Sequence, residues 1–344
     1  MSCFVIAEAG VNHNGSEAVA MQLIDVAAAA GADAVKFQTF RAETLVLPGA
    51  EKADYQRQQT GAGDQFSMLK ALELTEAIYA RLLERCHERK IQFMSTPFDR
   101  EAVDFLVGLG MSRIKVPSGE LTNLPFLAYL AEKNLPLIVS TGMATLEEVG
   151  EAVTVIRSVR KEQDYMAPLE EMLTLLHCTS SYPTALEDVN LMAIQTLRDT
   201  FGLPVGYSDH TPGILISVAA VAMGATVIEK HFTLDRNLPG PDHKASLEPD
   251  KLTRMIADIR VVERSLGTGE KAPRPGELAV RDLVRRSVTL IRSLKAGELI
   301  HEQDLVLLRP GVGIAPREMH QIIGKRVKAD QPAGKTLTWS DIFA

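Results

Sequence analysis

The sequence predicts an α/β fold, a (β/α)8 barrel with a small β-rich domain behind it, and three observations support this. Short apolar runs alternate eight times with longer amphipathic segments. The alternation extends over about 265 residues, the usual size of a TIM barrel. Behind it the texture changes to glycine, proline and charge, then to short strands with closely spaced turn signals.

Taken in order, the strand candidates are "FVIAEA" from Phe4, "DAVKFQ" from Asp33, "QFMSTP" from Gln92, "RIKVPS" from Arg113, "PLIVST" from Pro136, "LTLLHC" from Leu173, "LPVGYS" from Leu203 and "TVIEKHF" from Thr226. Helical patterns such as "SEAVAMQLIDVAAAAG", "LTEAIYARLLERCHERK" and "EPDKLTRMIADIRVVERSLG" lie between them. A doubly wound open sheet would usually carry a glycine-rich phosphate turn after its first strand. "AEAGVNHNG" has glycines at 10 and 15 and does not match that spacing. The expected organisation is a barrel over residues 1–267, a linker over 268–284 and a small domain over 285–344.

Composition bounds the function. Of 344 residues 46% are hydrophobic and 24% charged, which is ordinary for a folded domain. A net charge of −7 with mixed signs leaves no basic stripe for a phosphate backbone, so nucleic acid is not an expected partner. No apolar stretch approaches the roughly 20 residues that span a bilayer. The chain opens on "MSCFVIAEAG" without a basic leader, and Cys3, Cys86 and Cys178 suggest neither a disulfide framework nor a zinc knuckle. A cytoplasmic enzyme or binding protein is expected.

Every strand candidate begins apolar and ends polar. The ends carry Glu8, Lys36 with Gln38, Ser95 with Thr96, Lys115 with Ser118 and Glu120, Ser140 with Thr141, His177 through Ser181, Ser208 to His210, and Glu229 to His231. In a barrel these ends share one face, where barrel enzymes keep their chemistry. Period-two geometry turns Lys36 and Gln38 the same way, and likewise Glu229 and His231, with Lys230 facing the helix layer or the loop.

His210 and His231 sit on neighbouring strand ends with carboxylates close by at Glu8, Glu229 and Asp209. Two imidazoles with oxygen ligands and water suit a divalent ion acting as Lewis acid on a carbonyl. Lys36 and Lys115, the hydroxyls of Thr96, Ser118, Ser180 and Ser208, and turn glycines Gly119 and Gly142 suit a small phosphate. Either lysine could instead be a Schiff-base nucleophile, and the residue types leave both roles open. In the small domain "LLRPGVG" places Arg309 in a turn, available to an anion.

The motifs "IAEAGVNHNG", "AGADAVKFQTF", "STPFD", "KVPSGE", "VSTGMAT", "HCTSSYP", "GYSDHTPG", "VIEKHFTLD" and "GPDHKASLEP" together resemble the sialic acid (nonulosonate) synthase family over nearly the whole chain. The last sixty or so residues resemble that family's antifreeze-like, or SAF, domain, a β-clip. The resemblance implies condensation of phosphoenolpyruvate with the open-chain form of an N-acetylmannosamine-type sugar. The products are a nine-carbon 2-keto acid and phosphate, which leaves by C–O cleavage. It implies a divalent metal, usually Mn2+ with Mg2+ or Co2+ as alternatives, on His210 and His231. It places phosphoenolpyruvate on Lys36, Thr96, Lys115, Ser118 and Ser208. Sugar contacts and acid-base duty fall on Glu8, Gln38, Glu120, Tyr182 and Asp242, with Glu229 in the catalytic set. Arg309 would reach the partner's site in a domain-swapped homodimer. Where the neuraminate branch carries asparagine, this chain has Ser180, a shorter donor for the phosphate. "EKADYQRQQTG" and "GELTNLPFL" are closer to the legionaminate branch, whose substrate is a 2,4-diacetamido trideoxy sugar, with N-acetylmannosamine as the alternative. A Schiff-base aldolase and a non-catalytic sugar-phosphate binder are the rival classes.

Overall fold

The structure is a computed structural model and describes residues 2–343. The chain divides into two compact units, residues 1–267 and 268–344.

In the first unit the elements run β1 (Phe4–Gly10), α1 (Glu17–Ala30), β2 (Ala34–Thr39), α2 (Ala42–Leu45), α3 (Asp54–Thr60), α4 (Gln65–Lys70), α5 (Glu76–Arg89), β3 (Gln92–Pro97), α6 (Arg100–Gly108) and β4 (Ile114–Val116). They continue with α7 (Leu124–Glu132), β5 (Leu137–Ser140), α8 (Leu146–Glu162), α9 (Leu169–Met172), β6 (Leu173–Cys178), α10 (Ala193–Phe201), β7 (Val205–Asp209), α11 (Leu215–Ala222), β8 (Val227–His231) and α12 (Pro249–Leu266). All eight expected strands form, each paired in parallel in the order β3-β2-β1-β8-β7-β6-β5-β4. The first and last strands pair directly and β3 packs beside β4, so the sheet is a barrel.

Local sequence sets the helix ends. Ser16 accepts the Val19 N–H to start α1, and Gly31, at φ 83°, ends it in the left-handed region. Between those caps Ala20, Leu23, Ile24 and Ala27 are buried, a helical stripe facing the sheet. Thr145 and Glu148 form a reciprocal cap at the start of α8.

The barrel interior is layered. Ile6, Ala34, Met94, Ile138, Leu176 and Val227 form one apolar cluster inside the barrel. Two residues further along the same six strands stand Glu8, Lys36, Thr96, Ser140, Cys178 and Glu229, all buried. A period of two keeps each pair on one face, so the apolar layer is the floor on which the polar layer stands. Gly206 lies where a Cβ would come within 2.4 Å of the Val227 carbonyl oxygen, and only glycine fits there. The alternate residues, among them Val5, Val35, Phe93, Val116, Val139, Leu175 and Ile228, belong to the main core that includes the helices.

The second unit contains α13 (Pro275–Val284), β9 (Ser287–Leu290) and β10 (Leu305–Leu308). Leu305 stands opposite Leu290 in its antiparallel pair. Its core gathers Val288, Leu290, Leu294, Ile300, Ile322 and Leu337. α13 lies within residues 268–284, a stretch expected as an open linker. Pro275 at the first turn and Glu277, which accepts the Arg274 N–H at 2.7 Å, stabilise its start. Among the described residues no helix is long and apolar enough to cross a membrane.

Candidate active site

Register brings the charged strand ends together. Glu8 pairs with Lys36 on one side and His231 on the other, and Ser208 pairs with Glu229. Lys36 Nζ lies 2.6 Å from Glu8 Oε2 and 3.6 Å from Glu229 Oε2, and donates to Thr96 Oγ1 at 2.9 Å. Lys115 Nζ lies 3.7 Å from Glu229 Oε1, which also accepts from Ser208 Oγ at 2.9 Å. Gln38 Nε2 reaches Glu8 Oε1 at 3.4 Å. Two ammonium and two carboxyl groups are thus buried in one cluster, each compensating another.

Burial dominates their protonation, and the neighbours decide which carboxyl keeps its charge. Burial pushes Glu8 well above the usual carboxylate range despite Lys36. Burial also acts on Glu229, but Lys115, Lys36 and the Ser208 hydroxyl outweigh it and hold this carboxyl low. Lys36 is desolvated too, yet Glu229 and Glu8 raise it, so it stays an ammonium. Lys115 is lowered by burial against the pull of Glu229. The cluster therefore holds one carboxyl group that keeps a proton readily and one that does not.

Beside this cluster, Ser118, Gly142 and Ser180 line another part of the rim. The Gly142 N–H donates to Ser118 Oγ at 3.1 Å, and a Cβ on Gly142 would stand 2.4 Å from Ser180 Oγ. Glycine is what allows the two hydroxyls and a backbone N–H to converge. Cys178, to which the sequence assigned no role, joins them: its Sγ is 3.7 Å from Ser118 Oγ and 3.8 Å from His210 Nδ1.

The histidine rings face each other with centroids 5.6 Å apart. His210 Nδ1 lies 2.9 Å from the Thr179 carbonyl oxygen. A carbonyl can only accept, so Nδ1 carries the hydrogen and the Nε2 lone pair is free. Burial lowers the pKa of His210, and burial with His210 lowers that of His231 further, so both rings are neutral. His231 Nδ1 is buried without a hydrogen-bond partner. Two neutral imidazoles, one anchored through its other nitrogen, are a donor set that fits a divalent cation. Among the described residues no three histidine, cysteine, aspartate or glutamate side chains group as a metal cage, so further ligands would come from water and substrate.

Asp209 is a correction to its grouping with Glu8 and Glu229. It pairs with Lys230 Nζ at 2.9 Å, both side chains fully buried, and accepts from Thr211 N, Thr211 Oγ1 and Ser217 Oγ. Lys230 also donates to the Thr211 carbonyl. The pair turns away from the barrel interior, as period two places Lys230, and each member directly precedes a ligand candidate, Asp209 before His210 and Lys230 before His231. His177 also leaves the site: it stacks on Tyr207 and its Nε2 bonds the Val189 carbonyl.

The remaining mouth is aromatic and carboxylic. Tyr182 lies 4.2 Å from the His210 ring centroid and stacks on Tyr55 at 5.3 Å. Glu120 sits at the rim, where its Oε2 accepts from Asn123 Nδ2 at 2.7 Å. Asp242 is held by a latch between the loops after β1 and β8. Asn12 Nδ2 donates to the Phe232 carbonyl and to Ser246 Oγ, and Ser246 Oγ donates to the Asp242 carbonyl. His243, buried, bridges Thr233 Oγ1 at 2.7 Å and Asn14 Oδ1 at 3.3 Å. Asn12, Asn14, His243 and Ser246 carry no functional signal of their own in the sequence, although "NHN" and "DH" lie inside the quoted motifs. Arg309 belongs to the second unit, where it is exposed directly after β10.

A larger cleft of about 690 Å3 lies by Arg41, Lys70, Glu73, Glu76 and Glu101. Its cations already pair with its carboxylates, Arg41 with Glu76 and Glu101 and Lys70 with Glu73, and it gathers none of the strand-end groups.

The NeuB family model matches residues 23–271 and the SAF domain model residues 285–342. The chain belongs to the NeuB family. It is 53% identical to the N,N'-diacetyllegionaminic acid synthase of Legionella pneumophila, over all of this chain and 96% of that one. It is 46% identical to the Campylobacter jejuni protein of the same name, over 93% and 94% of the two chains. Among solved structures, the N-acetylneuraminic acid (sialic acid) synthetase of Leptospira borgpetersenii matches with a TM-score of 0.70 at 34% identity, covering 81% of this chain and 90% of that one.

Burial alone lifts Asp242 to about 6. Its folded pKa lies above the usual value, so its contribution to stability is complete below pH ~3.9 and lost as pH rises through about 6. Asp242→Asn should therefore gain stability on the wild type between pH 4 and 7, by up to about 3 kcal/mol. Melting temperatures across that range check it; a difference that does not vary with pH would contradict it.

Proposed function

We propose that this NeuB-family chain condenses phosphoenolpyruvate with an N-acetylmannosamine-type sugar, giving a nine-carbon 2-keto acid and phosphate. The observation that carries the reading is the paired cluster Lys36, Glu8, Glu229 and Lys115 standing directly beside two neutral, facing imidazoles. Full-length similarity to two diacetyllegionaminic acid synthases supports it and favours the 2,4-diacetamido trideoxy sugar.

In this reading Lys36 and Lys115 compensate the anionic charge of phosphoenolpyruvate, and the hydroxyls of Thr96, Ser118, Ser180 and Ser208 with the Gly142 N–H orient it. Nε2 of His210 and a ring nitrogen of His231 would hold a divalent ion, Mn2+ ahead of Mg2+ or Co2+, which supplies Lewis-acid polarisation of the sugar aldehyde. Tyr182, Gln38, Glu120 and Asp242 position the sugar. As C3 of phosphoenolpyruvate bonds to the aldehyde carbon, the carbonyl oxygen gains charge and takes the proton of the Glu8 carboxyl group. Glu229, held ionised, faces the positive charge developing at C2. Water adds to C2 and one of its protons restores the Glu8 carboxyl group; the bond from C2 to the phosphate oxygen then breaks, the other proton leaves with phosphate, and the ketone forms.

Lys36, held as an ammonium chiefly by the Glu229 carboxylate, is not available as a Schiff-base nucleophile. Arg309 is the candidate for the guanidinium that a homodimer partner lends in the swapped arrangement. Coupled measurement of phosphate and 2-keto acid tests the reaction: both should form in equal amounts and only with sugar present.

A further inference from the structure

The proposed reaction leaves one ionic pair unused. Asp209 and Lys230 are both shut off from solvent, with Oδ2 and Nζ 2.9 Å apart. Stability alone is a weak reason for such a pair, since apolar residues of similar volume often hold a fold as well or better. Its contacts point to a different duty. β7 ends at Asp209, and its register with β8 ends there too, at Asp209 opposite Lys230. His210 is therefore the first residue beyond the strand, where the chain bends toward α11. His231, by contrast, is the last residue of β8 and stands opposite Glu8 on β1.

One ammonium group holds both chain neighbours of His210. Lys230 Nζ pairs with the Asp209 carboxylate on one side of it and donates to the Thr211 carbonyl, at 2.5 Å, on the other. Asp209 Oδ1 in turn accepts the Thr211 N–H at 2.8 Å and the Thr211 hydroxyl at 2.7 Å, which closes a tight side-chain turn around His210. Asp209 Oδ2 also accepts from Ser217 Oγ on α11 at 2.5 Å, so the turn is tied to the helix layer. Lys230 is itself the residue before His231. The two imidazoles, with ring centroids 5.6 Å apart, thus follow directly on the two ends of one salt bridge. An apolar pair would fill the same volume and leave the turn free to shift against β8. We infer that Asp209 and Lys230 are positioning residues for metal capture: they fix the spacing of the His210 and His231 rings through the backbone, so that the cation meets a preformed pair of donors. The inference rests on the metal assignment proposed above and goes beyond it, since neither residue is itself a ligand.

The test is Mn2+ binding by the full-length protein, with free Mn2+ read by electron paramagnetic resonance. Phosphoenolpyruvate is present and sugar is omitted, so no turnover enters the reading. Asp209→Asn with Lys230→Met keeps an oxygen for Thr211 and removes both charges, so it releases the turn from β8 without stranding a buried ion. Its melting temperature should stay within a few degrees of wild type while its Kd for Mn2+ rises about tenfold to a hundredfold. With sugar added, turnover lost at low Mn2+ should return as Mn2+ is raised, to within about threefold of the wild-type kcat. A pair that served the fold alone would not shift the Mn2+ requirement. A folded variant whose Kd stays within about twofold of wild type would overturn the positioning role and leave the metal site standing. Wild-type Mn2+ affinity that His231→Ala leaves unchanged would overturn the metal assignment, and the positioning role with it. If the first double variant does not fold, Asp209→Ala with Lys230→Met is measured in its place; failure of both would assign the pair to the fold alone and overturn the inference.

Discussion

Replacing His231 with alanine is expected to cut turnover by about a thousandfold or more, and to leave a residue of activity that no longer responds to chelator. The size follows from several kcal/mol of charge stabilisation that a Lewis acid supplies at a carbonyl. The fold should survive. His231 stands at the end of β8, and its Nδ1 holds no protein partner whose loss would unravel a network. Circular dichroism and a melting temperature within a few degrees of wild type are the controls. Undiminished turnover by the variant in chelator would remove His231 from the metal assignment.

Asp209→Ala is expected to act on the fold instead. It strands the Lys230 ammonium in a fully buried position with the Thr211 carbonyl as its remaining partner, and frees Thr211 and Ser217 as well. Breaking a buried pair in this way typically costs about 3–5 kcal/mol, because an uncompensated charge is left behind. Replacing both partners, as in Asp209→Ala with Lys230→Met, should recover most of the loss, since the desolvation cost of the lysine goes with it. Urea unfolding of the single and double variants measures both. A single-variant loss below about 1 kcal/mol would show that water reaches the pair.

The barrel was legible because its physics repeats. Each strand changes from apolar to polar along its length, and one layer of Ile6, Ala34, Met94, Ile138, Leu176 and Val227 under one layer of polar groups is that change seen in space. Period two alone turned Lys230 away from the barrel interior, toward the helix layer or the loop, and its ammonium there meets Asp209 and the Thr211 carbonyl. The same rule, counted from Ser208, turns Asp209 outward; grouping it with Glu8 and Glu229 by nearness in sequence missed this. The latch of Asn12, Asn14 and His243 was out of reach for another reason. It joins residues more than two hundred positions apart, and nothing in either short segment reveals the other. The 41–75 stretch has no sustained period, so its short helices could not be read from it. A helix in 268–284 was hidden by glycines and prolines at its flanks, although Pro275 followed by Glu277 is itself a start signal.

The most direct measurement is the yield of phosphate and of 2-keto acid from phosphoenolpyruvate, with the amino sugar present or omitted. One phosphate for each nine-carbon 2-keto acid, and none without sugar, is the predicted result. Phosphate release that ignores the sugar, with pyruvate as the organic product, would contradict it.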